Sequence, residues 1–455
     1  MSDTQLAKTI SDLPIQELRT IQRHCGRLAL PAKTTKFWRK QHELARSILR
    51  DDGRGPRVKR LAELLFNITY SISTVAPEEK PNYYQYTDVH LLDWYLAANI
   101  ATVRDLRARA VLGIYYTMRD LVTFESNSLA NVEKNSQLRL SAALIHKRMS
   151  EISSVFPACE ELAAGMNCDI CKWDIDLVHH QSIANYVDEP HHLGALVHFS
   201  CFPLTQSHDE IVFIRTLHAS ELCFYGIRVS LIAAIEALKG GDRATALREL
   251  QYAGAFAHIL HLTLMVLRTM PPEHFADFRD YTGKASALQS KAYHELDIYL
   301  HGVTVTKQEH FAKISYLNTL LRYSHPRFVS LKDAVALVKQ DEWSDVIEAA
   351  RALDKQLLTW RGLHLGFARR YLPQGAPGTG GTSGADYLAR YLHGGVFEDT
   401  TPDWDVVRNL FPEIDQVPTP RSRIASHRGI APRISADPEP AHDTDQEVTA
   451  NDEQT

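Results

Sequence analysis

From Leu91 to Phe124 the chain reads LLDWYLAANIATVRDLRARAVLGIYYTMRDLVTF, with apolar residues recurring three and four positions apart. About 3.6 residues per turn bring those positions onto one face, so the stretch predicts an amphipathic helix or a broken helix pair. The same period dominates the rest of the chain, and strand alternation is nowhere convincing. Apolar stripes of this kind can be buried only helix against helix, which predicts an all-α helical bundle.

At 455 residues the chain is longer than one ordinary domain, so it forms two helical units or one large unit with an added segment. Residues 1–185 are expected to be an N-terminal helical segment, broken at DDGRGP near Asp51 and at APEEKPN near Pro77. Residues 186–412 form a second helical block. It is interrupted at KGGD (Lys239 to Asp242), at MPPEH (Met270 to His274), and by the Gly-rich QGAPGTGGTSG from Gln374 to Gly384. Residues 418–455 are rich in Pro, Ser, Thr and acidic residues and poor in apolar ones. They cannot offset their ordering entropy by burial, and a disordered tail is expected.

Apolar residues at 44% and charged residues at 23% are the balance of a globular protein, and a net charge of -5 gives no general attraction to phosphate backbones or anionic lipid. Neither a nucleic-acid nor a membrane partner is expected. The polar N-terminus has no apolar signal region, and no stretch of about 18 uninterrupted apolar residues follows, so a cytoplasmic location is expected. Six scattered cysteines predict reduced thiols rather than a disulfide scaffold.

Three segments of the second block carry chemistry. The first, HDEIVFIRTLHASELCF, runs from His208 to Phe224; Phe213 and Leu217 share a helical face, while His218 is turned from Leu217 by about 100°. In the second, from Thr269 to Asp297, FRD is followed by Ala285, Ser286, Gln289 and Ser290, and then by Tyr293 and His294. The third, WRGLHLGFARRYLPQGAPGTGGTSGADYL, holds Trp360 and His364 on a helix ahead of Gly378, Thr379, Gly380, Gly381 and Gly384. Glycines there let a backbone approach a ligand closely.

Taken in this order, the three segments resemble the tryptophan 2,3-dioxygenase superfamily of haem-dependent aromatic oxygenases, over under half of the chain. The resemblance implies an all-α helical bundle of the tryptophan/indoleamine dioxygenase-like type that binds haem b, with iron held by His364 beside Trp360. It implies a distal, catalytic wall at Phe213, Leu217 and His218, and a substrate site at Tyr293, His294, Gly378, Thr379 and Gly380. Two positions depart from the family's pattern. Leu217 stands where the family has its distal histidine, with His218 one place later. His294 stands where it has the arginine that grips the substrate carboxylate; protonation below about pH 6.5 is expected to restore part of that grip.

The activity implied is oxygen insertion from O2 into a small aromatic substrate, an indole related to tryptophan or a phenol related to tyrosine. The alternatives are tryptophan 2,3-dioxygenase activity giving N-formylkynurenine and a haem-binding sensor or carrier without catalysis. A homodimer or homotetramer is the assembly implied.

Three other groupings have plainer readings. Cys168 and Cys171, with His179 and His180 after them, could contribute to a zinc site, but no second CxxC completes the ligand set and structural thiols are favoured. The histidines of HHLGALVH, His191 to His198, read as packing or pocket lining. The basic run RDLRARA from Arg104 reads as a solvated helix face.

Overall fold

The computed structural model describes residues 1–15, 17–18, 20, 25–74, 82–97, 103–131, 140–168, 196–197, 199–283, 285–373, 375–378, 384–390, 392 and 394–414. Among these there is no strand. The N-terminal part contains α1 (Asp3–Ser11), α2 (Ala32–Leu49), α3 (Pro56–Thr74), α4 (Tyr83–Thr87), α5 (Val89–Ala97), α6 (Val103–Leu129), α7 (Ala142–Ser153) and α8 (Val155–Gly165). There follow α9 (His208–Gly240), α10 (Arg243–Arg268), α11 (Pro272–Arg279), α12 (Lys291–His301), α13 (Val305–Lys313), α14 (Leu331–Ala336), α15 (Ser344–Tyr371), α16 (Ala385–Arg390) and α17 (Trp404–Leu410).

Breaks fall where the sequence carries its breakers. DDGRGP lies between the end of α2 and the start of α3, with Pro56 at the first helical position, where its missing N–H costs nothing. KGGD joins α9 to α10, and the Asp242 carboxylate accepts the Thr245 N–H at 3.0 Å to cap the new helix. The described residues of the Leu91 to Phe124 stretch lie in α5 and α6.

Helix α9 is the centre of the bundle: α6, α10 and α12 pack around it, and α15 packs on α10. Buried positions go all the way round α9, as a core helix requires. The α9–α10 contact is close because Gly226 faces the Phe256 ring; a Cβ there would lie 2.5 Å from it. Helix α10 has the length and composition of a membrane span, yet most of that stretch is buried inside the protein, against α9 and α15.

Described residues before and after position 185 belong to one compact unit, Met1–Asp415. A buried ionic network joins helices from the two sides. Arg148 of α7 meets Glu125 of α6 at 2.7 Å and Asp209 of α9 at 2.8 Å, and donates through Nε to Thr269 at 2.9 Å. His208 meets Glu125 at 3.1 Å and His274 meets Asp209 at 2.7 Å. Buried charges are tolerated only when paired in this way.

The basic run at Arg104 also departs from expectation. Arg107 and Arg109 are buried: Arg107 pairs with Glu249 of α10 and Arg109 donates to the Tyr95 carbonyl at 3.2 Å. Charge alone did not reveal that α6 turns this face towards α10. Cys171, His179, His180, His191, His192, His198 and the expected tail at 418–455 lie outside the described residues. Leu196 and Val197 of HHLGALVH are fully buried.

Candidate functional site

Helices α9 and α15 each contribute a segment of twelve residues, Phe213 to Phe224 and Trp360 to Tyr371, and aromatic side chains bridge both ends. At one end Phe224 meets Trp360 edge-on with ring centres 5.3 Å apart, and Tyr293 of α12 lies 5.4 Å from Phe224 and 6.0 Å from Trp360. At the other, Phe213 lies 5.7 Å from Phe275, which lies 5.4 Å from Tyr371. The pairing 224 to 360 and 213 to 371 makes the two segments antiparallel, with Leu217 and His364 between the bridges.

His364 is partly accessible, with its ring centre 5.3 Å from that of Trp360. Burial depresses its pKa to about 4, so the imidazole is neutral at physiological pH. Among the described residues none hydrogen-bonds to its ring. Among the described residues, the buried indole N–H of Trp360 finds no hydrogen-bond partner, an orphaned donor one turn from His364.

On α9 the expected positions are apolar. Phe213 is half-buried among Phe275, Phe278 and Tyr86, and Leu217 is partly accessible. His218 is held elsewhere. Its Nδ1 lies 3.3 Å from an Arg215 nitrogen that can only donate, so Nδ1 accepts and Nε2–H donates to the Thr87 carbonyl. Burial and then Arg215 depress its pKa to about 3. Arg215 is itself fixed by Asp120, the Ser200 hydroxyl at 3.0 Å and the Val197 carbonyl at 2.8 Å.

On α12, His294 is buried and donates through Nε2–H to the Leu288 carbonyl at 2.7 Å; His310 reaches the same oxygen at 3.3 Å. Burial depresses the pKa of His294 to about 4. The recovery of charge expected below about pH 6.5 is therefore displaced down to about pH 4, because desolvation favours the neutral ring.

Next to it, Asp297 binds Arg361 at 2.9 Å and Lys307 at 2.5 Å. Burial would raise its pKa, but Arg361, Lys307 and His301 outweigh that and hold it at about 2. Arg361 also interacts with Tyr293, so the ion pair ties α12 to α15 beside Trp360.

Of the Gly-rich segment, Gly378 is half-buried, and Thr379 and Gly380 lie outside the described residues. The segment's two ends meet at Gly384, whose φ of +62° suits glycine and where a Cβ would lie 2.4 Å from the Ala376 carbonyl oxygen. Arg279 of the FRD motif donates to the Pro377 carbonyl at 2.9 Å.

The structure therefore brings Tyr293, Trp360 and His364 together, sets Phe213 and Leu217 on the facing helix, and turns His218 onto α4. Sequence reasoning missed Tyr86, Phe275, Phe278, Tyr371 and the Asp297–Arg361 pair. For Tyr86 there was a local signal: Asn82 and Gln85 form a reciprocal capping box that starts a helix within NYYQYT.

The sequence model of the family described as tryptophan 2,3-dioxygenase matches residues 199–325, which hold α9 to α13. The tryptophan 2,3-dioxygenase of Caulobacter vibrioides is 28% identical over 239 residues, 43% of this chain and 89% of that protein. The enzyme of the same name from Exiguobacterium sibiricum is 27% identical over 245 residues, 46% of this chain and 86% of its own length. That of Pseudomonas aeruginosa strain PAO1 is 26% identical over 275 residues, 52% and 92%. With its helical fold and these matches, the chain is similar, as a divergent relative, to the oxygenases of the tryptophan 2,3-dioxygenase superfamily.

Proposed function

We propose that the chain is a haem b oxygenase that inserts oxygen from O2 into an aromatic substrate, an indole related to tryptophan or a phenol related to tyrosine. The observation that carries this reading is His364: a neutral imidazole on a long, packed helix, with no described hydrogen-bond partner on its ring. Such a lone pair would let His364 hold a haem iron. The orphaned Trp360 N–H supports the fit, because a polar group at the site would satisfy it.

Haem bound there would supply the redox chemistry with O2. The chain's own residues do the rest. Phe213, Leu217 and Phe275 offer an aromatic ring an apolar wall and exclude water. Phe224, Tyr293 and Trp360 close the opposite end, and the Asp297–Arg361 pair keeps Tyr293 and Trp360 in register. Because Leu217 presents no acceptor and His218 is held by Thr87, no imidazole base is offered to the substrate from α9.

The test is the absorbance spectrum and haem content of the purified chain against His364→Ala. A Soret band that is abolished or reduced to weakly held haem supports the assignment, and an unchanged spectrum and content would overturn it. Oxygen consumption with a panel of indoles and phenols then separates an oxygenase from a haem carrier.

A further inference from the structure

Glu221 follows Leu217 by four residues on α9 and is 8% exposed. Its Oε1 accepts the Tyr83 hydroxyl at 2.6 Å, and the Ser290 hydroxyl interacts with the same carboxyl. Each partner begins another element of the pocket. Ser290 caps α12 by accepting the Tyr293 N–H at 3.1 Å, and α12 carries Tyr293 and His294. Tyr83 is the first residue of α4, and its own N–H donates to the Gln289 side chain at 2.9 Å. Five residues are too few for a helix to hold itself, so α4 depends on such bonds for its position. Its Tyr86 ring lies 6.3 Å from that of Phe213.

We propose that Glu221 is a positioning residue for aromatic-ligand binding: its carboxylate fixes α4 and the start of α12 against α9, and so sets Tyr86 and Tyr293 relative to Phe213 and Leu217. The proposal rests on the reading that this site takes an aromatic substrate.

Both hydroxyls donate to the carboxyl, so the ionised form is the one the arrangement satisfies, and protonation removes an acceptor. Burial pushes Glu221 up to about 7; the Ser290 and Tyr83 hydrogen bonds lower it and Asp93 of α5 raises it. Tyr84 of α4 and Tyr316 also face it, and Lys291 and Arg228 act on Asp93. The locked arrangement is therefore populated as pH rises through about 7.

The experiment uses the full chain with its bound cofactor, with Glu221→Gln and Tyr83→Phe as variants. Amide hydrogen exchange is followed at residues 83–87 and 291–294, with α10 as internal reference. Calorimetric titrations with L-tryptophan, indole and tyramine are run at pH 6 and pH 8. Exchange should rise in both segments in Glu221→Gln, and at least at 83–87 in Tyr83→Phe, with α10 unchanged. Affinity for the best probe should fall about tenfold in each variant, as for one lost hydrogen bond to a charged acceptor. The wild type should bind more tightly at pH 8 than at pH 6, and Glu221→Gln should lose that difference.

Unchanged exchange would overturn the proposal. So would raised exchange with unaltered affinity and pH dependence, which would leave Glu221 a residue of the fold alone. If Glu221→Gln does not fold, Tyr83→Phe decides through the same readouts. A wild type that binds none of the probes would overturn the aromatic-substrate reading and with it the ligand-binding role, while the exchange data would still decide whether Glu221 fixes the two segments.

Discussion

His218 donates a hydrogen bond to the main-chain carbonyl of Thr87, 131 residues earlier in the chain, and thereby clamps α4 to α9. Removing the ring leaves a buried carbonyl without its donor and opens a cavity. His218→Ala should cost about 2–5 kcal/mol of stability, read from urea unfolding. The pH dependence has a definite sign. The folded pKa of about 3 lies below the unfolded value of about 6.5, so the unfolded chain takes up a proton that the native site refuses. The stability advantage of wild type over His218→Gln should be full above about pH 6.5 and shrink by about 1.4 kcal/mol per unit below it. A pH-independent difference would show that His218 is solvated.

Arg148 answers two carboxylates, Glu125 and Asp209, in a fully buried site. Arg148→Ala leaves both charges without their shared cation, and a loss of about 3–5 kcal/mol is expected in equilibrium unfolding. A double variant, Arg148→Met with Glu125→Gln, should cost less than the sum of its single changes, because the two sites share one network. Strict additivity would mean that the helices of the N-terminal part are joined to α9 by packing and not by this charge cluster.

The helices were legible because their signal is local. The 3.6-residue period, the breaks at DDGRGP, KGGD and MPPEH, and the order of the three segments are all contiguous text. The facing of His218 was half legible: the 100° offset from Leu217 turned it off the pocket face, but its partner, Thr87, lies in a segment with no assigned role. Arg107 was misread for the same reason, since Glu249 is 142 residues away. Glu221 sits within the first segment, yet its meaning comes from Tyr83 and Ser290, which only folding brings to it.

The Asp297–Arg361 pair should matter more to the register of α12 and α15 than to overall charge. Arg361→Lys keeps the charge but loses the planar fork that reaches Asp297, Tyr293 and the Gly394 carbonyl together. Tyr293 and Trp360 should then move apart, read as a change in tryptophan fluorescence, with stability lowered by about 1–3 kcal/mol. An unaltered emission spectrum would count against a link between the pair and the aromatic end of the site.

Free L-tryptophan is expected to be a poor ligand. His294 donates its Nε2–H to the Leu288 carbonyl, and burial keeps the ring neutral to about pH 4, so it offers a carboxylate no charge-assisted bond at pH 8 or at pH 6. A bidentate arginine in that role contributes about 1.5–3 kcal/mol, equivalent to roughly tenfold to a hundredfold in affinity. On the distal side an indole N–H facing Leu217 finds no acceptor, at a cost of about 1–3 kcal/mol, and His218 is tied to Thr87 and cannot substitute. Deleting the carboxylate should therefore change little: tryptamine and L-tryptophan methyl ester should bind within about threefold of L-tryptophan, at both pH values. Leu217→His should selectively improve ligands that carry an indole N–H over their N-methylated counterparts. Titrations and steady-state kinetics across this panel decide the matter. If L-tryptophan yields N-formylkynurenine with the highest kcat/KM of the set, another group grips its carboxylate, and the altered pocket does not set the preference.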